Sequence, residues 1–246
     1  MSFNAKYRIA DKCIEIQSLF SMVHELCKDY CTDGVPELTV TITQACIDYE
    51  RKKSAREDAA EGIPVRQFSD DYLETLAVYR KIAEWMPGQE TILFHGSCVA
   101  VDGEGYLFAA RSGTGKSTHT GLWREMLGDR AVMVNDDKPL LRVENTITVY
   151  GTPWDGKHRL SKNISVPLKG LCILERAEEN RIQRISKEEA LPMLIQQVYR
   201  PADPMAMVKT MELIDRLGQG VSLYRMGCNM DIGAAEMAYE EMRHSI

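Results

Sequence analysis

The stretch ARSGTGKST at residues 110–118 is the part of this chain that says most about its fold. It follows the apolar run GYLFAA at residues 105–110 and precedes a predicted helix at residues 119–127. A glycine-rich loop between a strand and a helix is typical of a phosphate-binding loop. Glycines let successive backbone N–H groups converge on phosphate oxygens without Cβ clashes. The N-terminus of the following helix adds roughly half a positive charge.

Within this stretch the side chains have distinct predicted roles. Lys116 can reach the outer phosphates of a nucleotide, and the Ser117 hydroxyl is placed to bind Mg²⁺. The full pattern G-x-x-x-x-G-K-[ST] has Gly where this chain has Ala110, while the rest of the pattern is intact. A coincidental glycine-rich turn is the alternative. We predict ATP and Mg²⁺ as ligands, with nucleotide contacts from Ser112, Gly113, Thr114, Gly115, Lys116, Ser117 and Thr118.

Two adjacent acids follow the next apolar run. The run AVMV at residues 131–134 leads into Asn135, Asp136 and Asp137. In enzymes with a phosphate-binding loop, a strand near the loop ends in an acid that holds Mg²⁺ directly or through water. A second carboxylate can accept a hydroxyl proton. The alternative is a surface turn that carries two solvated acids.

The order of these motifs resembles a known family. A His95-Gly96 pair, then the glycine-rich stretch, then Asn135-Asp136-Asp137 look like the catalytic domain of HPr kinase/phosphorylase. That family shares its nucleotide-binding fold with ATP-dependent phosphoenolpyruvate carboxykinase. The similarity covers roughly residues 91–175 and is greatest to HPr-kinase-like proteins that carry a Gly-Thr-Pro-Trp motif, present here at residues 151–154.

The resemblance implies roles for individual residues. Lys116 and Ser117 would hold the β/γ-phosphates and Mg²⁺. Asp136 matches the proton acceptor that activates a serine hydroxyl, and Asp137 would support the metal. His95 matches a histidine beside the transferred phosphate. Its alternative role is that of a hydrogen-bonded histidine on a buried strand.

The segment at residues 151–163 departs from that family. Where HPr kinase/phosphorylase has Glu-Ile-Arg-Gly, this chain has YGTPWDGKHR at residues 150–159. The resemblance therefore does not extend to HPr as a substrate or to the reverse reaction. The segment is rich in Gly and in basic residues, so we predict an irregular loop that places Arg159 or Lys157 on the transferred phosphoryl group. Asp155 is a further candidate Mg²⁺ ligand. The alternative for the whole segment is a solvated basic loop. Trp154 is expected in the core, with a stacking wall as the alternative.

Composition excludes several classes of protein. The chain has 246 residues, with 30 Lys and Arg against 36 Asp and Glu, so its net charge is −6. An acidic chain lacks the basic surface that nucleic-acid binding requires. No apolar run approaches the ~20 residues of a membrane span, and the charged N-terminal residues do not resemble a signal peptide. Seven scattered cysteines without a C-x-x-C pair indicate reduced thiols and a cytoplasmic location.

The remaining patterns predict an α/β (α+β layered) protein with a small N-terminal α+β lobe at residues 1–90 and a catalytic domain at residues 91–246. A polar segment at residues 50–69 is predicted as a mobile loop or an exposed helix, with a partner-docking segment as the alternative. Strands are predicted at residues 7–17, 37–42, 91–101, 105–110, 131–137, 146–154, 170–176 and 221–227, and helices at residues 20–30, 70–85, 119–127, 186–199, 203–217 and 232–243.

These observations predict a kinase that transfers the γ-phosphoryl group of ATP to a hydroxyl on a protein, peptide or small molecule. Two other functions remain open at this point. One is a nucleotide-binding ATPase or regulatory module without transfer, and the other is a phosphotransferase that uses pyrophosphate or ADP. No Asn/Thr-Lys-x-Asp motif is present, which argues against a GTPase. Family members act as oligomers, so a homo-oligomer is an expectation from the resemblance alone.

Overall fold

The computed structural model describes residues 2–244. The chain divides into two compact units, one ending at Glu84 and the other beginning at Trp85. Both units combine helices with a sheet, which confirms the prediction of a mixed α/β protein.

The first unit is built on a three-stranded sheet in the order β1-β2-β3, in which β1 and β2 are antiparallel and β2 and β3 are parallel. Its elements are β1 (Phe3–Ile9), β2 (Lys12–Ser18), α1 (Met22–Leu26), a 3₁₀ turn (Lys28–Tyr30), β3 (Leu38–Thr41), α2 (Gln44–Ala60) and α3 (Asp70–Trp85). The prediction of one strand over residues 7–17 is wrong. Ala10 and Asp11 both adopt positive φ and form a tight turn, although neither residue is the glycine that usually marks such a turn.

The polar segment at residues 50–69 is part helix and part irregular backbone. Its first half belongs to α2, and only the residues after Ala60 are irregular. Two acids of helix α2, Glu50 and Asp58, are buried and form ion pairs with Arg80 and Arg66. The polar sequence of the helix therefore supplies paired charges where it packs. Helix α3 spans the predicted residues 70–85 and is confirmed.

In its described residues, the second unit carries a nine-stranded mixed sheet and four α-helices. Its strands are β4 (Thr91–Leu93), β5 (Ser97–Val101), β6 (Glu104–Ala109), β7 (Ala131–Asn135), β8 (Leu140–Val143), β9 (Ile147–Tyr150), β10 (Ser165–Arg176), β11 (Arg181–Arg184) and β12 (Ser222–Cys228). Its helices are α4 (Lys116–Leu127), α5 (Lys187–Gln197), α6 (Pro204–Gly220) and α7 (Ile232–Met242), with 3₁₀ turns at Met86–Gln89 and Gly128–Arg130.

The long strand β10 organises this sheet. Its first residues pair with β9, and it then pairs in parallel with β6 from Leu168 on one side and with β12 from Gly170 on the other. The order continues as β10-β6-β5-β7, and β5 is antiparallel to both β6 and β7. Strands β6, β7, β10 and β12 therefore run in the same direction. Their carboxyl ends meet at one edge of the sheet, which is where ligands bind in open α/β sheets.

The core lies on both faces of this sheet, because strand side chains alternate. Leu171 and Ile173 of β10 pack into one cluster with Leu213 and Leu217 of α6. Their neighbours on β10, together with Phe108 of β6, pack into a second cluster that contains Trp123 of α4 and the alanines of α7. Each face is thus covered by a helix pair, as a layered α/β unit requires.

Several predicted elements in this unit are wrong in their bounds, and the strand predicted at residues 146–154 ends as β9 at Tyr150. The apolar run at residues 91–101 is two strands, since β4 pairs with β8 whereas β5 pairs with β6 and β7. Helix α4 begins at Lys116 rather than at residue 119, because the last glycine of the loop already caps it. The helices predicted at residues 186–199 and 203–217 are present as α5, which begins with a capping box at Ser186, and as α6, which has Asp203 as its N-cap.

Among the residues that the structure describes, no helix is both long and apolar enough to cross a membrane. All seven cysteines lie in this described part and are free thiols.

Candidate functional site

The loop at residues 110–115, here called the glycine loop, connects β6 to α4. Gly113 has φ +75° and Gly115 has φ +120°, conformations that side chains with a Cβ rarely adopt. The amide of His119 donates to the Gly115 carbonyl at 2.9 Å, which starts the helix. The predicted sequence of strand, glycine-rich loop and helix is therefore present, and the two glycines are required by the backbone.

Lys116 begins α4 and turns back toward the loop. Its Nζ donates to the carbonyl of Ala110 at 3.3 Å, and only 9% of the residue is exposed. Burial lowers the pKa of Lys116 below its ordinary value, while the negative charges of Asp137 and Asp136 oppose that shift. The lysine and both carboxylates therefore share one electrostatic environment.

Asp136 is 5% exposed, and its carboxylate is hydrogen-bonded within the site. The Ser97 hydroxyl donates to its Oδ1 at 2.7 Å, and Ser97 is in turn 2.9 Å from the hydroxyl of Thr120 on α4. This short chain of hydroxyl groups connects the helix after the glycine loop to the carboxylate after β7. It restricts Asp136 to one orientation at the edge of the sheet.

Asp137 makes different contacts. The Nε2 of His95 lies 3.3 Å from its Oδ1, and the Nζ of Lys138 lies 3.4 Å from the same oxygen. Burial raises the pKa of Asp137, but the hydrogen bond from His95 and the positive charge of Lys138 outweigh that effect and leave the pKa below its ordinary value. Asp137 is thus an ionised carboxylate at neutral pH, with about one third of its side chain exposed.

Asn135 shapes the turn that carries both acids. Its Oδ1 accepts hydrogen bonds from the amides of Asp137 and Lys138 at 2.9 Å and 2.6 Å. Its Nδ2 donates to the carbonyls of Thr152 and Trp154, both at 3.2 Å. Because the residue is fully buried, its hydrogen bonds join the turn to the segment at residues 151–163.

That segment covers Asp136. The Asp136 amide donates to Oδ1 of Asp155 at 3.2 Å, and the other oxygen of Asp155 accepts from the amide of Ser161 at 2.8 Å. Asp155 therefore organises the loop, and its function as a metal ligand stays a prediction. A Cβ at Gly156 would lie 2.7 Å from Oδ2 of Asp136, so only glycine fits there without movement of the carboxylate.

The other predicted site residues lie at the surface. Ser117 and Thr118 are exposed on the first turn of α4, and Ser112 is exposed in the glycine loop. Arg159 is also exposed, at a positive φ of 48° that marks a bend in the loop. Trp154 is buried, as expected for a core residue. Across residues 2–244, no group of three or more His, Cys, Asp and Glu side chains is arranged to hold a metal ion.

Three residues at this site have no recognised signal in the sequence. Ser97 and Thr120 are ordinary polar residues. Ser97 becomes a partner of Asp136 because β5 lies between β6 and β7, and Thr120 contacts Ser97 from α4. Gly156 resembles a turn glycine, whereas its position is required by the carboxylate packed against it.

Replacement of His95 by alanine is expected to raise the pKa of Asp137, because the hydrogen bond that favours the carboxylate is removed. By linkage, the lowered pKa stabilises the folded protein at neutral pH, and this stabilisation is lost as the pH falls through that pKa. A ¹³C titration of the side-chain carboxyl groups, with Asp137→Asn for assignment, measures the shift. The exposed His244 is the control, and a pKa that is equal in His95→Ala and His244→Ala would contradict the expectation.

The comparison with solved structures finds the HPr(Ser) kinase/phosphatase from Coxiella burnetii, with 12% sequence identity and a TM-score of 0.33. The match covers 62% of this chain and 95% of that protein. The comparison with curated proteins gives no match.

The comparison with protein families gives a match over more than half of the chain. The family is described as SynChlorMet cassette protein ScmC, and its model matches residues 69–215. The matched range contains the glycine loop, both acids after β7 and the segment that covers Asp136. The chain belongs to the ScmC family.

Proposed function

We propose that this protein is an ATP- and Mg²⁺-dependent phosphotransferase that moves the γ-phosphoryl group of ATP to a serine-type hydroxyl on a protein, a peptide or a small molecule. The observation that carries the proposal is the position of Lys116. It is buried at the start of α4 and contacts the glycine loop, and the charges of Asp136 and Asp137 raise its pKa against the effect of burial. A passive nucleotide-binding module has no use for a second carboxylate at this place.

The proposed reaction follows from these positions. The hydroxyl oxygen of the acceptor attacks the γ-phosphorus, the bond to the bridging oxygen breaks, and ADP leaves. Asp136 accepts the hydroxyl proton, and the hydrogen bond from Ser97 orients its carboxylate for that step. Lys116 and the amides of the glycine loop bind the phosphates, so that positioning and charge neutralisation provide most of the catalysis.

Ser117 and Asp137 suit Mg²⁺, which prefers hard oxygen ligands and usually completes its shell with water and substrate phosphates. The lowered pKa of Asp137 keeps that carboxylate ionised, and its side chain is partly exposed. The ion would supply charge neutralisation on the β- and γ-phosphates. His95 orients Asp137 through the 3.3 Å contact, and Arg159 is the proposed cation for the transferred group.

The test is a transfer assay with ATP labelled at the γ-phosphate, Mg²⁺ and the protein, peptide and small-molecule fractions of the native cell. We expect Mg²⁺-dependent label on an acceptor, in a bond that is stable in acid, as in a phosphate ester of a hydroxyl. Release of labelled phosphate without a labelled acceptor in any fraction would contradict the proposal and favour an ATPase. Equal transfer from labelled pyrophosphate would identify a different donor.

Gly156→Ala is expected to lower the transfer rate about 100-fold with little change in nucleotide affinity. The added Cβ displaces the Asp136 carboxylate, and a misplacement near 1 Å has an effect of this order. The control is Gly121→Ala on α4, where a Cβ meets no atom within 4 Å. Equal transfer by the two variants, with equal thermal unfolding, would contradict the assigned position of Asp136.

A further inference from the structure

The glycine loop lies between two different parts of the sheet edge. On one side, beyond β5, strand β7 ends in the turn that carries Asp136 and Asp137. On the other side, strand β10 ends at Arg176, followed by β12. A nucleotide is a linear molecule, with its terminal phosphate at one end and its base at the other. If the terminal phosphate faces Asp136, the nucleoside leaves the loop toward β10.

Arg176 is placed at that exit. It is exposed, and its Nη2 donates to the carbonyl of Gly113 in the glycine loop at 2.5 Å. The register of β10 and β6 pairs Ile173 with Ala109, so Arg176 lies three residues beyond the level at which β6 ends. The side chain therefore reaches across to the loop from the neighbouring strand.

The direction of this hydrogen bond separates Arg176 from the phosphates. In a loop whose successive amides converge on an anion, the carbonyls point away from that anion. A guanidinium bound to the Gly113 carbonyl thus lies outside the phosphate cradle. One of its five N–H donors is engaged there, and the residue is exposed.

We propose that Arg176 forms the surface on which the base of the bound nucleotide stacks. This inference rests on the proposed function, since it takes a nucleotide in the glycine loop as its starting point. Planar guanidinium groups stack on aromatic rings, and such stacking is tolerant of base identity because every base has a π-face. Arg176 is therefore a binding residue that distinguishes nucleotides from pyrophosphate but scarcely one base from another.

A second observation fits the same edge. Strand β12 runs parallel to β10 and pairs Cys228 with Arg176. Two residues further, Met230 is 77% exposed, and the intervening Asn229 is anchored by the side chain of Asn180 at 2.9 Å. An exposed, polarisable thioether at this edge offers an apolar contact that suits a base.

The test compares the affinities of MgADP, MgGDP and magnesium pyrophosphate by calorimetry in the full chain. Arg176→Ala is expected to weaken MgADP and MgGDP binding about tenfold, with pyrophosphate binding unchanged. Arg176→Lys keeps the charge but loses the planar face, so it is expected to resemble Arg176→Ala. Arg181→Ala, which removes an exposed arginine from β11, is the control and is expected to bind all three ligands like the wild type.

The outcomes separate this inference from the proposed function. An equal loss of affinity for nucleotides and pyrophosphate would show that Arg176 supports the glycine loop or binds the phosphates. That result would overturn the inference alone. Wild-type nucleotide affinity in Arg176→Lys would also overturn the inference alone. So would affinities of Arg176→Ala for all three ligands that equal those of Arg181→Ala. Absence of binding of all three ligands by the wild type would overturn both proposals.

Discussion

Asp136→Asn is expected to lower phosphoryl transfer by about 10²- to 10⁴-fold while the affinity for MgATP stays close to that of the wild type. The amide has the shape of the carboxylate, and its oxygen still accepts the hydrogen bond from Ser97. It cannot accept the hydroxyl proton, however. Loss of rate without loss of binding is the expected result for a group that acts only on the reacting atoms.

The measurement is a transfer assay together with calorimetric titration of MgATP. Asp129→Asn is the matched control, because Asp129 is an exposed acid in the 3₁₀ turn before β7. A transfer rate for Asp136→Asn equal to that of Asp129→Asn would show that Asp136 is not the base. Parallel loss of binding and rate would instead place it among the nucleotide or metal ligands.

Lys116→Ala is expected to weaken nucleotide binding about 100-fold, and pyrophosphate binding to a similar extent. Hydrogen bonds to charged groups contribute about 1.5–3 kcal/mol, and the ammonium is the charged donor that α4 brings to the glycine loop. Burial lowers the pKa of this lysine because it disfavours the charged ammonium. Binding of an anion beside the ammonium compensates that charge and is therefore especially favourable. Calorimetry with MgADP and magnesium pyrophosphate measures both effects.

Lys169→Ala is the control for that variant. Lys169 lies on β10 and pairs with Glu104 at 3.1 Å, away from the carboxyl edge of the sheet. We expect it to bind both ligands like the wild type. Undiminished ligand binding by Lys116→Ala would show that the glycine loop does not bind phosphate through this lysine. That result would overturn the kinase proposal.

Local signals identified the elements that have strong local causes. Helix α3 has helical spacing of its apolar residues and α5 begins with a capping box, and both helices are present. The prediction failed where the cause is not local. The turn at Ala10 and Asp11 has no glycine, and the run at residues 91–101 divides because its halves pair with different strands.

The candidate site shows the same division. Residues 110–118 predict a loop with positive φ at its glycines and a lysine at the start of a helix, because only glycine tolerates that backbone and the helix follows at once in the chain. The amino-acid order places Asp136 and Asp137 after a strand, and it contains no information about their partners. Apart from the neighbouring Lys138, those partners come from sequence positions 19 to 42 residues away, through contacts that exist only in the packed sheet.

The roles of Ser97, Gly156 and Arg176 depend on distances between segments. Ser97 reaches Asp136 because β5 lies between β6 and β7, Gly156 passes against the carboxylate, and Arg176 reaches the glycine loop because β10 is parallel to β6. Backbone conformation and helix capping are properties of neighbouring residues, and they can therefore be read along the chain. Strand order and the approach of one segment to another arise from the burial of the whole core, and no short stretch of residues specifies them.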